Sequence, residues 1–132
     1  MLGTIRSWWR DLSIGVAPEV INEYLLSGNP NAQMKREITK NINIILSENK
    51  RKHYKFGKTG HALTRIDYDD YRKASYTKMY LLYMSPIANF VEFLEKYYAT
   101  KYYANKYNKN VDVNSLGLMK SRDGNYYLYL VV

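Results

Sequence analysis

A length of 132 residues predicts one domain, which buries roughly two-thirds of the surface that its unfolded chain would expose. The absence of cysteine excludes disulfides and thiolate metal sites, and it fits a reducing compartment. Twenty Lys and Arg residues against twelve Asp and Glu give a net charge of +8, which indicates a polyanionic partner such as nucleic acid. The sequence has no leader-like segment and no run of about 18 apolar residues, so we expect a soluble intracellular protein without membrane contact.

Residues 1–40 have the pattern of a helical extension. Pro18 suits the first position of a helix, and apolar residues follow it at helical spacing as far as Leu25. A second short helix is predicted for residues 32–39. These elements would precede an α+β domain over residues 41–132.

The next segment has the pattern of a β-hairpin. Residues 42–46 are rich in isoleucine, residues 47–52 are polar, and residues 53–56 resume an extended pattern. Gly57 and Gly60 then predict a turn, since glycine tolerates backbone conformations closed to other residues.

Two helices and two strands are predicted for the remainder. A helix should cover residues 63–72, and residues 78–84 form an apolar run that is typical of an inner strand. A second helix should begin at Pro86, and a turn should lead into a final strand over residues 126–132. The apolar stripe of the second helix comprises Ile87, Phe90, Val91, Leu94 and Tyr98. The fold class is therefore α+β, with a small mixed or antiparallel sheet and helices packed on it.

Several familiar motifs are excluded. The segment 57–59 lacks the earlier glycine of a phosphate-binding P-loop, because Lys52 stands there. A cluster of aspartates resembles a calcium loop, but Arg72 occupies the position that needs glycine. His53 and His61 have no third ligand at a zinc spacing, and no serine nucleophile motif is present.

One constellation points to phosphodiester chemistry. Residues 55–59 carry a Gly-x-Thr pattern after a predicted strand, Arg65 opens the next helix, and Leu94-Glu95 lies on a later helix. In this order the sequence resembles the GIY-YIG endonuclease superfamily over about residues 41–110, particularly its short members from phages and large DNA viruses. The resemblance implies a metal-dependent DNA endonuclease, acting in a host cytoplasm or carried in a virion.

The residue types suit that chemistry. Arg65 has a planar fork that matches phosphate, and Glu95 is expected to hold Mg²⁺ or Mn²⁺ through its carboxylate. Tyr54 would orient or deprotonate water if a metal or Arg65 lowered its pKa. Three further residues surround the turn and are expected to guide DNA phosphates: Lys55, Lys58 and His61.

Each of these residues also has a structural interpretation. Arg65 and Asp69 lie one helical turn apart, so an exposed ion pair between them is the simplest alternative. Glu95 would then be solvated near Lys96, and the ring of Tyr54 would pack within its strand.

The resemblance is incomplete at two positions. The first strand of the family ends in a Gly-Ile-Tyr triplet, whereas residues 41–45 contain no tyrosine. Lys55 stands where the second motif has tyrosine, and Tyr54 is displaced by one residue, which points it to the opposite face of a strand. The alternative is therefore a non-catalytic basic protein of viral or mobile-element origin, which binds nucleic acid or acts in virion or host interactions.

A second surface is predicted on the later helix. Aromatic rings beside cations suit stacking on bases and contact with phosphates, with Lys101 and Tyr102 as candidates. The interleaved residues are Lys96, Tyr97, Tyr98, Lys101, Tyr102, Tyr103, Lys106, Tyr107 and Lys109. In the alternative interpretation, Tyr98 and Tyr102 complete the core and the lysines are ordinary surface. Trp8 and Trp9 are expected to anchor the extension to the domain or to a protein partner.

Overall fold

A computed structural model of the chain describes residues 19–60, 76–110 and 120–132. These ranges contain strands β1 (Glu19–Ile21), β2 (Leu26–Ser27), β3 (Lys55–Thr59), β4 (Lys78–Ser85) and β5 (Tyr126–Val131), and helices α1 (Ala32–Glu48) and α2 (Ala88–Lys101). The five strands form one open mixed sheet with the helices packed on it, which confirms the predicted α+β class.

Strand β4 lies inside the sheet, as its apolar sequence predicted. The strand order is β1–β4–β5–β3, and β2 also pairs with β4. Both short strands are parallel to β4, whereas β5 is antiparallel to β4 and β3. Strand β3 is therefore at one edge, next to β5, and its position matters for the site described below.

The main hydrophobic core lies between one face of the sheet and the two helices. Its fully buried side chains come from both helices and from β3, β4 and β5, and include Ile38, Ile42, Ile45, Phe56, Leu82, Leu94, Tyr98, Leu128 and Leu130. A smaller cluster occupies the other face and comprises Tyr76, Met79, Leu81, Tyr129 and Val131.

Helix α2 buries the centre of its predicted stripe. Val91, Leu94 and Tyr98 are fully buried, whereas Phe90 is partly exposed. Ile87 is 47% exposed because it precedes the first helical residue and adopts an extended conformation. The predicted stripe is thus correct from Val91 onward and wrong at its first residue.

The predicted hairpin over residues 42–56 is wrong, because its first half belongs to helix α1. Ile38, Ile42 and Ile45 recur at the spacing of one helical face and are all fully buried. Asn31 caps the helix by accepting a hydrogen bond from the Met34 amide at 2.9 Å. The helix runs without a break through residues 40 and 41, where the extension was predicted to end.

The helix predicted between Pro18 and Leu25 is also wrong over its described part. Residues 19–21 form β1, and the Glu19 amide donates to the Thr77 carbonyl at 2.8 Å. Pairing with β4 supplies hydrogen bonds that a short helix ending at the Ser27–Pro30 turn would not gain. Trp8 and Trp9 lie outside the described residues, so their anchoring role stays a prediction.

Gly57 lies inside β3 and not in the predicted turn. It pairs directly with Tyr129 of β5. A Cβ atom at Gly57 would lie 2.2 Å from the Tyr129 ring, which packs over this position on the smaller core face. The glycine therefore permits close approach of a buried ring. In the sequence alone, such a glycine cannot be distinguished from one that marks a turn.

The outer edge of β3 is covered by residues 107–110. The Tyr54 amide donates to the Tyr107 carbonyl at 2.9 Å, and the Lys109 amide donates to the Tyr54 carbonyl at 2.8 Å. The Asn110 side chain bonds both backbone groups of Phe56 at 2.8 Å. These contacts pair the edge of the strand and hold it against α2.

Candidate functional site

The most concentrated chemistry in the described residues lies where β3 packs on α2. We call this contact line the β3–α2 seam, and its members are Tyr54, Phe56, Lys58, Glu95, Tyr98 and Tyr102. Alternate residues of the strand point to the helices because side chains on a strand alternate between its faces. Chain direction reverses across the seam, so Lys58 meets Glu95 at one end and Tyr54 meets Tyr102 at the other.

An ion pair closes one end of the seam. The Lys58 ammonium nitrogen lies 3.6 Å from a Glu95 carboxylate oxygen, and the side chains are only 8% and 12% exposed. Two residues that were predicted to contact DNA phosphate and metal separately are therefore brought together. Since both charges are largely removed from water, their pairing compensates part of the cost of burying each.

Burial sets the protonation behaviour of this carboxyl group. Burial raises the pKa of Glu95 above its ordinary value of 4.5, and the negative charge of Glu92 adds to this effect. Lys58 acts in the opposite direction through its charge and a hydrogen bond, and Lys55 does so through its charge. The raised pKa shows that the lysines compensate only part of the desolvation.

The implied Mg²⁺ or Mn²⁺ does not fit Glu95 as the seam is arranged. The Lys58 ammonium lies 3.6 Å from the oxygen Oε1 that a cation would use. Within the described ranges, no three acidic or histidine side chains form a group able to hold a metal. A cation at Glu95 would have to displace Lys58, and the metal therefore stays a prediction.

Tyr54 lies at the opposite end of the seam from Glu95. Its Cα atom is about 13 Å from that of Lys58, four residues along an extended chain. The side chain is 2% exposed, and its hydroxyl has no hydrogen-bond partner among the described residues.

The surroundings of Tyr54 act against a role as a base. Burial, followed by the neighbouring Tyr102, raises the pKa of Tyr54 to about 12. Its ring packs edge-on against Phe56 and Tyr102, with centroids 6.0 and 6.4 Å apart. These contacts agree with the structural interpretation of this residue, and a catalytic role would need a lowered pKa.

The remaining predicted site residues are dispersed or lie outside the described ranges. Arg65 and His61 fall in residues 61–75, which the structure does not describe, so their roles stay predictions. Lys55 is partly buried and alternates with the seam residues of β3. Lys101 is exposed at the end of α2, whereas Tyr102 is half-buried and donates to the Asn43 side chain at 3.0 Å.

A cleft opens along the solvent-exposed side of α2, beside its buried stripe. It has a volume of about 460 Å³, and its walls are largely apolar. We call it the outer cleft, and its lining residues are Phe93, Lys96, Tyr97, Thr100 and Lys101. Phe93 is 50% exposed, and together with Tyr97 it gives the cleft an aromatic wall.

A lysine from the other helix lies over two rings of this cleft. The Lys35 ammonium nitrogen is 5.3 Å from the Phe93 centroid and 4.9 Å from the Tyr97 centroid. The Tyr98 hydroxyl donates to the Lys35 carbonyl at 2.9 Å, which ties this turn of α1 to α2. The outer cleft thus combines exposed aromatic surface with cations from both helices.

Sequence reasoning found Lys96, Tyr97 and Lys101 but missed Phe93 and Lys35. Phe93 recurs with the other cleft residues at helical spacing beside the core stripe, a signal that was available. Lys35 is 58 residues from Phe93, and only the packing of the two helices brings them together.

No protein-family model, curated protein or solved structure matches this chain. Neither helix of the described ranges has the length and apolar content needed to cross a membrane.

Proposed function

We propose that the protein binds nucleic acid through the outer cleft of α2 and the lysines around it, and that this binding needs no cleavage chemistry. The observation that carries the proposal is the pair of rings in the cleft, the half-exposed Phe93 and the partly buried Tyr97, bordered by Lys35, Lys96 and Lys101. Such a combination contacts phosphates with its cations and bases with its rings.

The overall charge supports the same partner. A net charge of +8 attracts polyanions and accelerates their association. Of the carboxylates on α2, Glu95 is paired with Lys58 inside the seam. It therefore offsets little of the positive potential at the outer cleft, where Lys96 and Lys101 are exposed.

The seam offers weaker support for cutting DNA. The carboxylate of Glu95 is compensated by Lys58, and the pKa of Tyr54 is raised to about 12. Each side chain would have to change its partner or its environment before serving hydrolysis.

Salt-dependent binding tests this proposal. Labelled DNA would be titrated with the protein from about 50 to 200 mM salt, comparing Lys96→Ala/Lys101→Ala with the wild type. Loss of two phosphate contacts should reduce the slope of log K against log salt by about 1.4 for a single strand. The matched control is Lys50→Ala/Lys120→Ala, which removes two exposed lysines outside both helices. Equal effects of the two double variants would contradict the proposed interface.

A second candidate function is metal-dependent DNA cleavage, or descent from a protein with that activity. The observation that favours it is that β3 lies next to α2. Strand β3 contains Gly57 and Thr59, and α2 contains Glu95. These are two of the elements that the GIY-YIG resemblance relates, and Arg65 would complete the set.

Cleavage is tested with plasmid and branched DNA in Mg²⁺, Mn²⁺ or chelator. Cutting that requires the metal and is abolished by Glu95→Gln would establish the nuclease. Glu95→Gln keeps the side-chain volume, and its folding is checked by circular dichroism. If the protein binds DNA but does not cut it under any of these conditions, the cleavage proposal is overturned and only the binding proposal remains.

A further inference from the structure

The outer cleft has the dimensions and walls of a site for a flat apolar group. Its volume of about 460 Å³ lies within the range of about 300–1,000 Å³ that is usual for small-molecule pockets. A nucleobase presents a flat face of this kind, with polar atoms at its edge. The cleft is open to solvent along α2, so a base attached to a chain can enter from the side.

The two rings that line the cleft form a stacking surface. Phe93 and Tyr97 lie one helical turn apart, with centroids 6.5 Å apart and planes inclined by 30°. Tyr97 is held edge-on against the buried Tyr98 ring at 4.9 Å, so its orientation is set by the core. A ring with a fixed orientation loses little side-chain entropy when a base stacks on it.

Cations stand where the phosphates next to such a base would pass. Lys96 and Lys101 line the cleft, whereas the Lys35 ammonium lies over the two rings, so a base that stacks on that side has to displace it. The residues that line the cleft include Lys96 and Lys101 and no carboxylate. The charge therefore complements a polyanionic strand and not an apolar peptide.

From this arrangement, and resting on the proposed function, we infer that the outer cleft stacks an unpaired base, so that the protein prefers single-stranded nucleic acid to duplex. In a duplex both faces of a base are stacked on its neighbours, and only phosphates and groove edges are accessible. Lysines contact phosphates in either form, whereas Phe93 and Tyr97 gain contact only with an unpaired base. Stacking does not read the sugar, so DNA and RNA strands should behave alike.

The test measures binding of oligo-dT, oligo-rU and a duplex of equal length to the wild type and to Phe93→Ala. The substitution should weaken binding of both single strands by about 5- to 150-fold and leave the duplex within about 2-fold. Phe93→Trp restores a stacking ring and should recover single-strand binding. The matched control is Ile87→Ala, since Ile87 is a large apolar side chain that is 47% exposed and does not line the cleft.

The outcomes separate this inference from the proposed function. If Lys96→Ala/Lys101→Ala weakens binding but Phe93→Ala weakens single strands and duplex equally or not at all, base stacking is overturned while the interface survives. If none of the three ligands binds, both are overturned. Circular dichroism and thermal melting of each variant identify a loss that comes from unfolding, and Phe93→Trp then decides whether the ring is needed.

Discussion

The two faces of helix α2 carry similar residue types in different environments. On the inner face, Tyr98 is fully buried and Glu95 pairs with Lys58. On the outer face, Tyr97 and Lys96 line an open cleft. The difference shows that an interleaved Tyr and Lys pattern does not by itself indicate binding, because burial determines which residues are available to a partner.

The largest difference between the faces should be in stability. Leu94→Ala removes a fully buried side chain from the inner face and should lower the free energy of unfolding by about 2–5 kcal/mol, since a cavity forms. Phe93→Ala on the outer face should cost less than about 1 kcal/mol. Urea denaturation measures both. Equal losses would show that the outer face is packed against something in the folded protein.

The next effect concerns the ion pair of the inner face. Lys58→Met leaves a buried carboxylate without its nearest cation and should destabilise the fold by about 1–3 kcal/mol at neutral pH. Adding Glu95→Gln in the same chain should recover at least half of that loss, because the uncompensated charge is removed. Lys50→Met, at an exposed lysine, is the control. A loss that Glu95→Gln does not reduce would mean that Lys58 acts through other contacts.

A smaller effect should separate the two adjacent tyrosines. The Tyr98 hydroxyl donates to the Lys35 carbonyl at 2.9 Å and lies 3.1 Å from the Thr39 hydroxyl. Tyr98→Phe should therefore cost about 1 kcal/mol. The Tyr97 hydroxyl forms no hydrogen bond within the described residues, so Tyr97→Phe should be close to neutral. Chemical denaturation of the two variants side by side checks this order, and its reversal would contradict the assigned faces.

The smallest effect is expected in the pH dependence of stability. Because the pKa of Glu95 is raised in the folded state, its contribution is fully present below 4.5 and is lost as pH rises through the folded pKa. The free energy of unfolding of the wild type should thus fall relative to Glu95→Gln over that window. Denaturation at a series of pH values measures the difference. Parallel pH profiles for the two proteins would show that Glu95 has an ordinary pKa.

Much of the fold could be predicted where local pattern and final environment agree. Strand β4 has an apolar run and is an inner strand, and helix α2 has a stripe that meets the core. The prediction failed in the α1 region because Ile42, Ile44 and Ile45 fit a β-rich pattern and a helical pattern equally well. Ile38, one helical turn earlier, distinguishes the two patterns, because it extends the buried face of a helix.

The site was predictable only in parts. Glu95 was predicted to lie on the later helix, and it does, but its partner Lys58 is 37 residues away and on another element. Likewise, a glycine at position 57 indicates a turn in the sequence. The reason for a glycine within strand β3 is the Tyr129 ring, which packs directly on it.

Composition and short-range periodicity were sufficient for the α+β class, the basic character and the elements β4, α2 and β5, since these depend on contacts within a few residues or on total charge. Packing between distant segments determined which charges are paired and which rings are exposed. The pairing of Lys58 with Glu95 and the position of Lys35 over Phe93 both follow from how β3 and α1 lie against α2. Such contacts arise from burial of a shared core, which no spacing along the chain encodes.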